Sequence, residues 1–157
     1  MPLSGDMSGA TGSTCGERTA GGMNGVEWLI DLSACHVPAL QDPHAMVSLF
    51  EAIVDRMGLR PIGRPAWHQF PTTGGVTAVW MLQESHLTIH TFPEFASASL
   101  NLFCCTPRAC PDWPSLLTPS LGSCAVRVTQ CQRDYGAPSD QSPAPAPLRP
   151  GTEANRR

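Results

Sequence analysis

Lysine is absent from the 157 residues, and all ten basic side chains are arginines. That absence excludes an internal aldimine with pyridoxal phosphate, any other lysine Schiff base, a P-loop lysine and a Ser–Lys dyad. Amine or carbonyl chemistry in this chain would need an electrophile from another source. Charge is scarce too: charged residues make up 15%, with a formal balance of −3 and an isoelectric point near 5.9. Nucleic-acid binders carry a basic footprint, so that class is excluded. No apolar run approaches the roughly 20 residues of a membrane-spanning helix, so no membrane partner is expected. The N-terminus lacks a basic start followed by an apolar stretch; no secretory signal is expected, and a cytoplasmic location is. The seven cysteines include no Cys-x-x-Cys pair, so no metal site is expected. In a reducing compartment most of them serve as small buried hydrophobes, which leaves room for one chemically active thiol.

Apolar residues amount to 41%, material for one core and one domain. Residues 1–24 are rich in Gly, Ser and Thr, and residues 136–157 in Pro and Ala. Both are expected to be disordered tails, because neither can bury enough surface to offset chain entropy. The folded part is expected over residues 25–135. Within it, VEWLIDLS (26–33) reads as a strand. Asp42-Pro43 opens a helix whose stripe is Met46, Val47, Phe50, Ile53, Val54 and Met57, closed by Gly58. Strands are expected over 64–70, 76–82, 86–92, 97–105 and 126–133, with a turn at 72–75 and a short helix over 112–121. In the 97–105 strand, Ala98, Leu100, Leu102 and Cys104 share one face; Ser99, Asn101, Phe103 and Cys105 share the other. Consecutive strands with short turns imply an α+β two-layer sandwich, a mainly antiparallel sheet with helices on one face. One sheet face or edge is left needing cover.

The stretch LQESHLTIHTFPE (82–94) places two His, one Ser and two Glu among β-prone apolar residues. A polar strand face followed by a Pro turn is one reading; a site of chemistry is the other. Ser85 lacks the G-x-S-x-G elbow of a hydrolase nucleophile. His86 and His90 share a strand face but stand roughly 13 Å apart at ~3.3 Å per residue, too far to chelate one ion.

The block Glu84-Ser85-His86-Leu87-Thr88-Ile89-His90-Thr91-Phe92-Pro93-Glu94 resembles the processing motif of prokaryotic S-adenosylmethionine decarboxylase proenzymes. The likeness extends over about 25–135. Gly25…Leu29…Asp31…Cys35 resembles that family's first strand, and His68-Gln69-Phe70 the segment before its glycine turn. Leu102-Phe103-Cys104-Cys105 resembles the segment ending in its catalytic cysteine, and Arg133-Asp134-Tyr135-Gly136 sits where its last strand ends.

The resemblance implies a pyruvoyl-dependent decarboxylase that cuts itself between Glu84 and Ser85 and converts Ser85 to the pyruvoyl group. The carbonyl that lysine chemistry would need is then made from the backbone itself. By the same resemblance His90 is the processing base and Thr77 a hydroxyl donor to the cleavage intermediate. Cys105 is the proton donor, while Glu94 accepts from the ribose hydroxyls and Phe70 offers a face to adenine or the sulfonium. From composition alone, Thr77 also fits a plain strand role and Phe70 a core role. The implied substrate is S-adenosylmethionine, whose product donates aminopropyl groups for spermidine synthesis. The implied assembly is a homodimer of αβ protomers with active sites near the interface. Three positions depart from the pattern: Asn101 where Asp is common, Glu27 where His is common, and Phe92 where Trp is common. Arginine or ornithine decarboxylation on the same scaffold, and a non-catalytic regulatory paralogue, are the alternatives.

Overall fold

Local signals in the chain account for most of the elements in the computed structural model, which describes residues 24–122 and 124–136. The expected tails fall outside those residues, apart from Asn24, which opens the first strand, and Gly136. The elements are β1 (Asn24–Ser33), α1 (Val37–Leu40), α2 (Pro43–Met57), β2 (Ala66–Gln69), β3 (Val76–Leu82), β4 (Ser85–Phe92), a 3₁₀ turn (Pro93–Phe95), β5 (Ser97–Cys104), α3 (Trp113–Leu121) and β6 (Ala125–Asp134).

Asp42 caps α2, its carboxylate accepting from the His44 N–H at 2.9 Å, and Gly58 closes it at φ 60°. The buried stripe of α2 is Met46, Leu49, Phe50, Ile53 and Val54. Leu49 therefore takes the place expected for Val47, and Met57 is only partly covered: counted from Met46, i, i+3, i+4, i+7, i+8 spacing includes 49 and leaves 47 beyond the stripe's opposite edge. Asp112 caps α3, accepting from the Ser115 N–H and hydroxyl. The four-residue α1, with Pro38 in its first turn, is an element the sequence pattern did not announce.

The six strands form one antiparallel sheet in the order β2-β3-β4-β5-β1-β6. Helices α2 and α3 cover one face, where Trp28, Ile30, Leu87, Ile89, Leu100 and Leu102 meet Phe50, Ile53, Trp113 and Leu117 in a single core. Trp28 and Trp113 meet edge to face at 5.9 Å. This is the expected α+β sandwich. The opposite sheet face carries Leu29, Val79 and Met81, exposed by 42%, 44% and 60%. Strand β5 stops at Cys104, one residue short of the expected end: β4 begins at Ser85, its partner, and Pro107 follows shortly after. Among the described residues no helix is long and apolar enough to cross a membrane.

Candidate active site

Strand β4 carries the chemistry-bearing motif, and its two-residue period divides that motif between two faces. Leu87, Ile89 and Thr91 point into the helix-covered core, and Ser85 shares their side. His86, Thr88, His90 and Phe92 point to the open face. The motif therefore makes two clusters, one at each end of the strand.

The first cluster surrounds the Glu84–Ser85 bond. Gln83 and Glu84 form the two-residue loop of the β3–β4 hairpin, and Leu82 pairs with Ser85. On the other side Ser85 pairs with Cys104, and its hydroxyl lies beside the Cys104 thiol. Burial pushes that thiol above its ordinary value, against the pull of Arg108 and the Ser85 hydroxyl. The Cys105 N–H donates to the Glu84 carbonyl oxygen at 2.8 Å, so the carbonyl of the bond in question is already polarised. The Cys105 side chain is exposed, whereas Cys104 is buried, as their alternation requires. A cavity of about 310 Å³ opens beside this bond, walled by Arg60, Gln83, Glu84, Ser85 and Arg108.

The second cluster lies at the far end of β4. The Thr77 hydroxyl and His90 Nδ1 are 2.8 Å apart across the β3–β4 register. They line a cavity of about 320 Å³ with Phe70, Thr73, Phe92 and Glu94. Two glutamines brace the 72–75 turn that borders it. Gln69 Nε2 donates to the Gln41 and Gly74 carbonyls, and Gln41 Nε2 donates to the Thr73 carbonyl. Gly74 has φ +74°, and a Cβ on Gly75 would stand 2.7 Å from the Thr91 carbonyl oxygen, so both turn glycines are required. His68 meets Phe70 edge to face at 5.1 Å.

Thr77, His90, Phe70 and Glu94 are thus brought together, and so are Glu84, Ser85 and Cys105. The two groups are not. Five residues of extended chain separate Ser85 from His90, about 16 Å at ~3.3 Å per residue, and the two side chains lie on opposite faces.

Two of the departures from the motif prove to be one contact. Asn101 Nδ2 donates to Glu27 Oε1 at 2.8 Å, and Arg133 donates to Glu27 Oε2. Burial pushes the Glu27 carboxyl up, but the bonds from Asn101 and Arg133 outweigh it and hold the group below its ordinary value.

Sequence reasoning assigned no role to Arg60, Arg108 or Tyr135. Tyr135 packs its ring over Gly25, where a Cβ would meet the phenol oxygen at 2.0 Å. Its hydroxyl is raised above the ordinary value by partial burial and then by neighbouring Cys105. It is the chain's one tyrosine, and that rarity was the available signal. For the arginines there was none: they stand 24 residues before and after Glu84 (84 − 60, 108 − 84), in loops.

Comparison with known proteins adds a family. The S-adenosylmethionine decarboxylase family matches residues 26–134. S-adenosylmethionine decarboxylase proenzyme 2 of Halalkalibacterium halodurans is 30% identical over 109 residues, covering 69% of this chain and 84% of the relative. The proenzyme of Clostridium botulinum is 30% identical over 83 residues, covering 53% and 70%. That of Bacillus cytotoxicus is 34% identical over 84 residues, covering 54% and 63%.

Proposed function

The chain belongs to the S-adenosylmethionine decarboxylase family, and from that membership we propose that it is a self-processing proenzyme that decarboxylates S-adenosylmethionine. The product is the aminopropyl donor for spermidine synthesis. The observation that carries this reading is the setting of one peptide bond. The Glu84 carbonyl accepts the Cys105 N–H at 2.8 Å, and the half-buried Ser85 follows it directly, paired with Cys104. A carbonyl polarised by a fixed amide and adjacent to a serine hydroxyl is prepared for N→O acyl transfer, because the donor already points where charge develops.

The residues present fit a pyruvoyl group at position 85. Ser85 opens a strand, is half-buried and borders a cavity of about 310 Å³. Formed there, the group would supply the chemistry that pyridoxal phosphate supplies elsewhere, an electrophilic carbonyl for the substrate amine and a sink for the electron pair released with CO₂. Cys105, exposed and adjoining Glu84, returns a proton to the substrate α-carbon. A thiol suits that step because its proton affinity can be tuned close to neutrality. His90 takes the Ser85 α-proton during processing, and the Thr77 hydroxyl bonded to it donates to the tetrahedral intermediate. Glu94 accepts the ribose hydroxyls, and Phe70 presents its face to the adenine or the sulfonium.

His90 cannot serve Ser85 of its own chain across about 16 Å and two faces of one strand. The reading therefore includes a homodimer of αβ protomers in which the open sheet faces meet, and the Thr77–His90 pair of one copy serves the Glu84–Ser85 bond of its partner. The apolar residues of that face, Leu29, Val79 and Met81, suit such a contact.

Intact-mass analysis of the purified protein tests the core of the proposal. The expected result is two chains of 84 and 73 residues (157 − 84), the second blocked at its N-terminus, and none in Ser85→Ala. A single uncut chain overturns the reading. Carbon dioxide release from S-adenosylmethionine, with arginine and ornithine as comparisons, then decides the substrate.

A further inference from the structure

Self-cleavage at Glu84–Ser85 ejects a carboxylate, and the structure offers a place for it. The inference rests on the processing reading above. In the first step Ser85 Oγ attacks the Glu84 carbonyl carbon. The C–N bond breaks, the hydroxyl proton passes to the freed nitrogen, and an ester joins Glu84 to Ser85. In the second, a base removes the Ser85 α-proton and a Cα=Cβ bond forms at residue 85. The Cβ–Oγ bond breaks, and its electron pair departs on the α-carboxylate of Glu84. Tautomerisation to an imine, addition of water and loss of ammonia complete the group at residue 85. The elimination therefore runs faster the better the charge on the departing carboxylate is stabilised. Once cut, residue 84 carries two carboxylates, its side chain and the new chain end.

The cavity of about 310 Å³ beside this bond brings Arg60 and Arg108 to Glu84 and Ser85. The backbone of Arg60 and the side chain of Arg108 are both anchored. The Arg60 carbonyl accepts the Gln83 N–H at 2.8 Å, which ties the arginine's loop to the hairpin tip. Arg108 Nη1 donates to the Met57 carbonyl, one of the last of α2, at 3.0 Å. Its Nε is buried and has no hydrogen-bond partner among the described residues. A guanidinium held by the Met57 carbonyl and drawn to the Cys104 thiol, with its Nε still unpartnered, is a pre-organised carboxylate receptor. We propose that Arg108, with Arg60 beside it, receives the Glu84 α-carboxylate, stabilising the charge that builds on it during elimination and holding the cut chain end afterwards. This gives Arg108 a role in processing through contact with the reacting atoms.

The test follows freshly translated full-length protein by intact mass, with and without hydroxylamine. Hydroxylamine cleaves an ester, leaving a hydroxamate at Glu84 and an unmodified Ser85 at the new N-terminus, and it leaves a peptide bond uncut. Loss of a fixed donor at developing charge typically costs 10²–10³-fold in rate. Arg108→Met should therefore release fragments about 10²-fold more slowly and accumulate a hydroxylamine-sensitive full-length chain, while Arg108→Lys should recover most of the rate. Arg60→Met should show the same defect, smaller in size; if Arg108→Met does not fold, Arg60→Met and Arg108→Lys decide the matter. Wild-type rates in the methionine variants, or a stall with no hydroxylamine-sensitive bond, overturn the arginine assignment while leaving self-processing intact. A wild-type chain that never cuts overturns the processing reading instead.

Discussion

At the scale of single residues, Glu27 shows how a departure from a family's pattern can be absorbed. Glu27 of β1 sits between Asn101 of β5 and Arg133 of β6, and its side chain is only 13% exposed. The resemblance leads one to expect His at 27 and Asp at 101, a cation facing an anion. Here the anion has moved to position 27, a neutral amide stands at 101, and Arg133 supplies the positive charge. His86, stacked on Phe103 at 5.3 Å, faces the same carboxyl and lowers it further. Exchanging either residue alone would bury an unpaired charge or leave a donor without an acceptor, so the pair is best understood as one unit. The consequence for pH has a definite sign. A carboxyl held below its ordinary 4.5 binds its proton less readily in the fold than in the unfolded chain. Its stabilisation is complete above the unfolded value and is lost as pH falls through the folded one. Glu27→Gln should therefore lower the melting temperature at pH 7 while reducing the further loss between about pH 5 and pH 3. Parallel acid limbs for the two proteins in thermal melts would show that the carboxyl contributes nothing.

At the scale of elements, Thr91 decides where β4 meets the rest. It is buried at 4% exposure. Its hydroxyl accepts from the Val76 N–H and donates to the Leu40 carbonyl, both at 2.7 Å, joining β4, β3 and α1. Thr91→Val keeps the shape and strands both backbone groups. Each buried unpaired group costs about 1–3 kcal/mol, so the variant should lose about 2–6 kcal/mol, read by urea denaturation in a Ser85→Ala background that keeps the chain in one piece. A loss under about 1 kcal/mol would mean that water replaces the hydroxyl. What the sequence made legible at this scale follows from local rules. The N-cap and C-cap of α2, the alternation of β5 and the separation of Cys104 from Cys105 were all readable, because each depends on residues a few positions apart. Helix α1 was not readable: four residues carry no period, and its docking relies on Thr91, 51 positions from Leu40. Nor could Leu49 be preferred over Val47 until the position of the sheet fixed the centre of the stripe.

At the scale of the whole molecule, the sheet order separates residues that the motif lists together. Alternation alone puts Ser85 and His90 on opposite faces of β4, and this much stood in the sequence. The apolar residues on that alternation also mark the face that α2 and α3 cover; the strand order, set by long-range pairings such as Ser33 with Ala125 and Asn24 with Asp134, is what no local signal encodes. Once that face is covered, the Thr77–His90 pair remains on the open side, and the Glu84–Ser85 bond lies about 16 Å away at the hairpin tip. On the proposed reading, His90 reaches that proton in trans, or in cis only after β4 rearranges. Two inactive variants can distinguish these cases, because each retains what the other lacks. Ser85→Ala cannot be cut but keeps His90, and His90→Ala keeps its own Glu84–Ser85 bond but has no base. Each should stay whole when produced alone. Produced together and distinguished by tag mass, the His90→Ala chains paired with Ser85→Ala partners should be cut, and the Ser85→Ala chains should not. Cleavage would be limited to the mixed dimers, about half of all dimers if the chains pair at random. Met81→Glu, placed on the open face at 60% exposure, should suppress that rescue by weakening the contact between copies while leaving the helix-covered core untouched. Failure of the mixture to cut, with both variants folded and dimeric, would place the base within the chain that is cut and require β4 to rearrange before cleavage.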